Sequence, residues 1–152
     1  MAKYFIFNKD AANENGALFR AAESDTALQN LNVNQDLYKV LNPTDAVYTN
    51  FQKGLYIDIK YDDSDTISYT DISSTVSFVD ADHLNSEINA YKDQINHWLV
   101  RNKNHTDYNK WNTFKNNIVA IDASSKTYPL AKSIQQILED QSQVYLSLFE
   151  IP

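Results

Sequence analysis

The sequence predicts an α+β fold, with a small antiparallel sheet and a short helix in the N-terminal part and a three-helix antiparallel bundle in the C-terminal part. Two observations carry this reading. Up to about residue 80 the apolar residues come in short runs of strand length, and after Asp80 they recur at spacings of three and four almost to Pro152. The chain is thus divided into a β-rich part, 1–79, and a helical part, 80–152. No Pro/Gly/Ser-rich linker separates them, because the Ser-rich stretch 71–80 still contains Ile72, Val76, Phe78 and Val79. One fused domain and two abutting subdomains both fit.

The elements follow in chain order. Tyr4-Phe5-Ile6-Phe7 is a solid apolar run of strand length, and Ala17-Leu18-Phe19-Arg20-Ala21 and Leu37-Tyr38-Lys39-Val40-Leu41 are further candidate strands. Between the last two, Ser24-Asp25-Thr26 ahead of Ala27-Leu28 reads as an N-capped short helix or turn. In Asn42-Pro43-Thr44-Asp45 the Pro stands at or near a first helical position behind a capping Asn. This predicts a helix from Thr44 to about Lys53, ended by Gly54, with Ala46, Val47 and Phe51 inward. Leu55, Ile57, Ile59 and Tyr61 then alternate with Tyr56, Asp58 and Lys60, the period of a half-buried strand. Asp62-Asp63-Ser64-Asp65 is a polar turn, and alternation resumes over 66–70, giving a β-hairpin. Residues 75–79 are either a third antiparallel strand or an extended lead into the next helix.

Leu84, Ile88, Tyr91, Ile95, Trp98 and Asn102 lie on one helical face behind Asp80 or Asp82 as N-cap. Tyr108, Trp111, Phe114 or Lys115, Ile118 and Ile121 repeat the pattern after the polar break 103–106. Leu130, Ile134, Ile137, Gln141, Val144 and Leu148 follow Pro129 at an N1-like position and predict a third long helix. Short breaks make neighbouring helices antiparallel.

Composition excludes several function classes. The chain has 152 residues, 43% of them apolar, and a chain of that length buries roughly 68–70% of its unfolded surface, enough for a core without metals or disulfides. The absence of cysteine removes disulfides, thiolate metal sites and Cys nucleophiles, and three His, two Gly and three Pro leave little material for zinc sites or glycine-rich phosphate loops. A net charge of −7 repels a phosphate backbone unless the 13 basic residues cluster, and they are interspersed with Asp. The expectation is no nucleic-acid partner. The apolar start turns polar at Lys9-Asp10, short of the about 7–15 apolar residues of a signal peptide, and no run approaches the about 18 of a membrane span, so neither secretion by a signal peptide nor a membrane partner is expected.

The chemistry-bearing residues have simple structural readings. Asp58, Asp62, Asp63 and Asp65 supply hard oxygen ligands, but the calcium-loop pattern also needs a Gly at the bend and a terminal Glu, and both are absent. Asp and Ser favour turns on their own account. His83, His97 and His105 have no Ser partner at a recognisable spacing, and Glu87 with Asp93, or Glu139 with Asp140, fall on polar helix faces. Asn104-His105-Thr106 fits a glycosylation acceptor, a chance match in a chain without a secretory signal. No catalytic, cofactor-binding or metal-binding residue is assigned, and no cofactor is expected.

The aromatic residues point to protein contacts. Ten Tyr, seven Phe and two Trp exceed what a core of this size requires, and Tyr and Trp anchor protein interfaces. Tyr56 falls on the polar side of its strand. The stretch 144–152 is apolar to its last residue, so it either docks on the sheet of its own chain or inserts into a partner. The candidate partner-binding residues are therefore Tyr56, Tyr145, Leu146, Leu148, Phe149 and Ile151.

The opening Met1-Ala2-Lys3-Tyr4-Phe5-Ile6-Phe7, the stretch Asp36-Leu37-Tyr38-Lys39-Val40, and segments 105–111, 127–133 and 148–152 together resemble small proteins of marine contractile-tailed bacteriophages, cyanophages in particular. The resemblance extends over most of the chain and contains no active-site motif. It implies a context among virion and tail gene products, and no functional residue. Seventeen Asn against two Arg agree with the AT-rich coding bias of that origin. The expected function is that of a non-enzymatic, protein-binding structural or accessory component of a phage particle, in the tail, baseplate or fibre region, located in the virion or host cytoplasm. Its partners would be other proteins, a second copy of the chain among them. A soluble fibre-assembly chaperone or acidic inhibitor of a host protein, and an enzyme whose site is assembled from scattered residues, are the alternatives.

Overall fold

The computed structural model describes residues 2–9 and 16–152. β1 (Tyr4–Asn8) is the middle strand of a three-stranded antiparallel sheet, flanked by β2 (Leu18–Ala22) and β3 (Tyr38–Leu41). A middle strand covered on both faces needs no polar alternation. Phe5, Ile6 and Phe7 are accordingly all fully buried. Phe5 and Phe7 join Ala21, Tyr48, Phe51 and Ile59 in one core cluster. Ile6 pairs with Arg20 and Val40 and points to the opposite face. The β1–β2 register passes from Ile6↔Arg20 to Phe7↔Leu18, so Phe19 is an extra residue, a β-bulge.

α1 (Asp25–Leu31) starts at Ser24, whose Oγ accepts the Ala27 amide at 3.1 Å, and it closes on Asn32 in the left-handed region at φ 50°. α2 (Asp45–Gln52) is capped by Thr44 and not by Asn42. The Thr44 hydroxyl reaches the Val47 amide at 3.2 Å, whereas the Asn42 amide donates to the Lys3 carbonyl at 2.8 Å. The helix starts one residue later than the predicted Thr44; Phe51 is buried as expected and Val47 half-buried, while Tyr48 faces the core and Ala46 is exposed.

β4 (Tyr56–Tyr61) and β5 (Ile67–Asp71) form the expected antiparallel hairpin. Asp62 closes its turn by accepting the Ser64 and Thr66 amides at 2.8 and 3.1 Å. Between Ile57↔Thr70 and Lys60↔Ser68 the β4 strand carries one residue more than β5, with Asp58 at φ 53°. The bulge breaks the alternation read from sequence: Ile59 is buried while Ile57 is 44% exposed. The hairpin joins the sheet beside β2, where Ala17 bridges Lys60 and the Tyr61 amide donates to the Gly16 carbonyl at 3.2 Å. Residues 75–79 are a lead and not a third hairpin strand, since of these Phe78 alone pairs, with Leu130.

The chain forms two compact units, residues 1–72 with 149–152, and residues 73–148. The division lies at 72/73 where the change of periodicity predicted 79/80, because the Phe78–Leu130 bridge, with amide-to-carbonyl bonds of 2.9 Å in both directions, ties the lead to the second unit. The last four residues belong to the first unit, where Glu150 and Ile151 find their partners.

In the second unit α3 (Ala81–Arg101) is capped by Asp80, which accepts the His83 amide at 2.8 Å, and α4 (Tyr108–Val119) follows after 102–107. The two pack together, burying Leu84, Ile88, Ile95, Trp98 and Leu99 on α3 and Trp111, Phe114 and Ile118 on α4, with the two Trp rings 6.3 Å apart. The predicted third long helix is α5 (Ile134–Asp140), seven residues only, so the C-terminal part is a helical hairpin plus a short helix and not a bundle of three long helices. Its two ends explain the shortening. Leu130 is extended because it pairs with Phe78, and a capping box of Ser133 and Gln136 starts the helix four residues later. At the far end Gln143 N–H bonds Leu138 O and Ser142 N–H bonds Glu139 O, both at 2.9 Å, with Ser142 at φ 57°. This is a Schellman closure with Ser in the place usually taken by Gly.

Candidate functional site

The tail residues singled out by sequence are held by their own chain. Leu146 is buried, and its carbonyl accepts from Gln135 Nε2 at 3.4 Å. Tyr145 is half-buried, and burial first and Glu139 second raise its phenol above the ordinary range. Leu148 is half-buried and opens a 3₁₀ turn, Leu148–Glu150. Within the first unit the Phe149 ring lies 5.9 Å from that of Phe51 and is 44% exposed. Glu150 accepts from the Tyr48 hydroxyl at 2.8 Å and from Gln52 at 3.0 and 3.2 Å, and the Ile151 carbonyl accepts from Arg20 at 2.6 Å. Of the two roles the sequence left to this stretch, the structure shows docking on its own chain.

Tyr56, the remaining candidate, stands in a built aromatic surface. Its register partner is Asp71, which places Tyr69 diagonally beside it, and the two rings stack at 3.9 Å with 13° between their planes. Asn50 Nδ2 donates to the Tyr56 hydroxyl at 3.1 Å. Its hydrogen bond with Tyr56 first, and the Tyr56 charge second, raise the Tyr69 phenol above its ordinary value. Beside it runs an open groove of about 300 Å³ lined by Asp58, Lys60, Ser68 and Tyr69, with a charge of each sign at its edge. Sequence singled out Tyr56 but not Tyr69 or the groove, because the bulge that assembles them leaves no composition signal.

The other sequence candidates resolve into structural roles. Asp62 closes the hairpin turn, Asp65 at φ 58° continues it and pairs with Lys39 at 3.2 Å, and Asp58 is the bulge residue. No group of metal-ligating side chains is assembled among the described residues. His83 accepts the Val79 amide at 3.3 Å, and His105 accepts the Asp107 amide at 3.0 Å with its ring 5.1 Å from Trp98. His97 and Glu87 are exposed, and Asp140 is bonded to Lys132. The residue that sequence missed altogether is Gln135, which is buried and donates to the Tyr91 hydroxyl at 3.0 Å; burial raises the Tyr91 phenol.

No protein-family model, no curated protein and no solved structure matches the chain. Among the described residues no helix is long and apolar enough to cross a membrane.

Proposed function

We propose that this chain is a non-enzymatic protein-binding protein, a structural or accessory component of a phage particle in the tail, baseplate or fibre region, and that the β4–β5 hairpin is its contact surface. The observation that carries the reading is the stacked, partly exposed Tyr56–Tyr69 pair beside a groove edged by Asp58 and Lys60. A pre-stacked pair offers flat apolar area with hydroxyls at its edge and loses little side-chain entropy on contact. The two opposite charges set the orientation of a partner more than its affinity. The likeness to contractile-tailed phage proteins supplies the particle context.

Lysine cross-linking of purified particles, read by mass spectrometry, tests it. Lys60 is exposed on β4 and should link to a second virion protein or a second copy of this chain. Those links should be lost on Tyr56→Ser with Tyr69→Ser. A chain found in infected cells but missing from particles overturns the structural role in favour of an assembly chaperone or host-protein inhibitor. Links that survive both substitutions overturn the hairpin as the surface.

A further inference from the structure

On the face of the sheet opposite the Phe5–Phe7 core Ile6 is fully buried, and the residues that cover it leave a cavity beside it. Ile6 forms the floor of this cavity, whose volume of about 330 Å³ is within the about 300–1,000 Å³ of small-molecule sites. The bulge in β2 makes this cavity: the extra residue Phe19 escapes strand alternation and stacks on Tyr38, with centroids 4.8 Å apart and planes 11° apart. Arg20 braces the pair, its guanidinium 5.3 Å from the Phe19 ring while Nη1 is fixed on the Ile151 carbonyl. The aromatic wall is thus rigid, and Phe19 remains 40% exposed.

The polar groups of the rim come from the end of α1. Asn30, Asn32 and Asn34 all line the cavity. Asn34 Oδ1 accepts the Asp36 amide at 3.0 Å, which leaves its NH₂ as a donor, and the side chains of Asn30 and Asn32 make no hydrogen bond among the described residues. These neutral amides each donate and accept, the complement of hydroxyl groups that do the same. An anion is disfavoured twice over. The rim is the C-terminal, carbonyl-bearing end of α1, and its single cation already donates to a backbone carbonyl.

We infer that this cavity binds a neutral saccharide, whose apolar ring face packs on the Phe19–Tyr38 wall and whose hydroxyls pair with Asn30, Asn32 and Asn34. The site is separate from the hairpin surface and does not rest on the protein-binding proposal.

The test is amide NMR of the full chain titrated with methyl α-glucoside, methyl α-galactoside and N-acetylglucosamine to about 20 mM, in the range where weak ligands of millimolar affinity register. At least one of the sugars should shift residues 19–20, 30–34 and 38 together. Asn32→Gly keeps the left-handed backbone at that position while removing the amide, and combined with Asn30→Ala it should weaken binding about tenfold with an unchanged melting temperature. Phe19→Leu should abolish binding; if it unfolds the chain, the Asn variant decides. The inference is overturned if no sugar shifts these residues, if acetate or adenosine shifts them and the sugars do not, or if the Asn variant binds as tightly as the wild type.

Discussion

At Gly16 the backbone turns at φ 77°, and a Cβ there would stand 2.8 Å from the carbonyl oxygen of Tyr61, the residue whose amide donates to the Gly16 carbonyl and ties hairpin to sheet. Both the conformation and the space require glycine, so Gly16→Ala should cost about 1–3 kcal/mol, measured as a lower urea midpoint with unchanged slope. Tyr48 makes a second prediction. It is fully buried, and burial first and the Glu150 charge second push its phenol above the ordinary value of 10.0. A folded pKa above the unfolded one means that the stability it contributes is whole below pH 10 and is lost progressively as pH rises beyond it. The wild type should therefore lose stability above that pH more steeply than Tyr48→Phe, as read from urea midpoints across an alkaline series. Composition places an aromatic on α2, but nothing local says that it is Tyr48 and not Ala46 that turns inward. That depends on which face of α2 meets the core cluster of Phe5 and Phe7.

Among the elements, β1, β2, β3, the hairpin, α3 and α4 stand close to where periodicity puts them, and α1 is the helical one of the two readings, helix or turn, that Ser24 left open, because apolar spacing and caps are local signals. α5 differs. Its apolar spacing continues to Leu148, but a Schellman turn ends the helix, and that turn uses Ser142 where glycine would have advertised it. A non-glycine residue at positive φ costs about 1–2 kcal/mol, of which glycine would give back a part to its larger unfolded-state entropy. Ser142→Gly should thus stabilise the second unit by up to about 1 kcal/mol, seen as a rise in melting temperature. The two β-bulges are equally invisible to pattern reading, yet they aim Phe19 into its cavity and set Ile57 outward.

For the molecule as a whole, the first unit is built from two distant pieces of chain. Removing residues 149–152 takes away the Glu150 carboxylate that accepts from Tyr48 and Gln52 and the Ile151 carbonyl that accepts from Arg20. A buried phenol without its acceptor costs about 1–3 kcal/mol. Hydrogen exchange on the truncated chain should show faster exchange in β1, β2 and α2, with α3 and α4 changed far less. Uniform acceleration throughout both units would contradict the division drawn by the contacts.

The amino-acid sequence by itself determined the α+β class, the order of the strands and helices as far as α4, the hairpin, and the lack of cysteine chemistry, since these follow from local periodicity, caps and composition. Only the tertiary structure decided where the tail goes, how short α5 is, and which aromatics meet. Glu150 is the one charged residue of the stretch 148–151, and the donors that hold it lie 98 and 102 residues away. Tyr56 with Tyr69, and Phe19 with Tyr38, are brought together by strand register and bulges. Register is fixed by which faces can be buried at once, a property of the assembled chain and not of any segment of it.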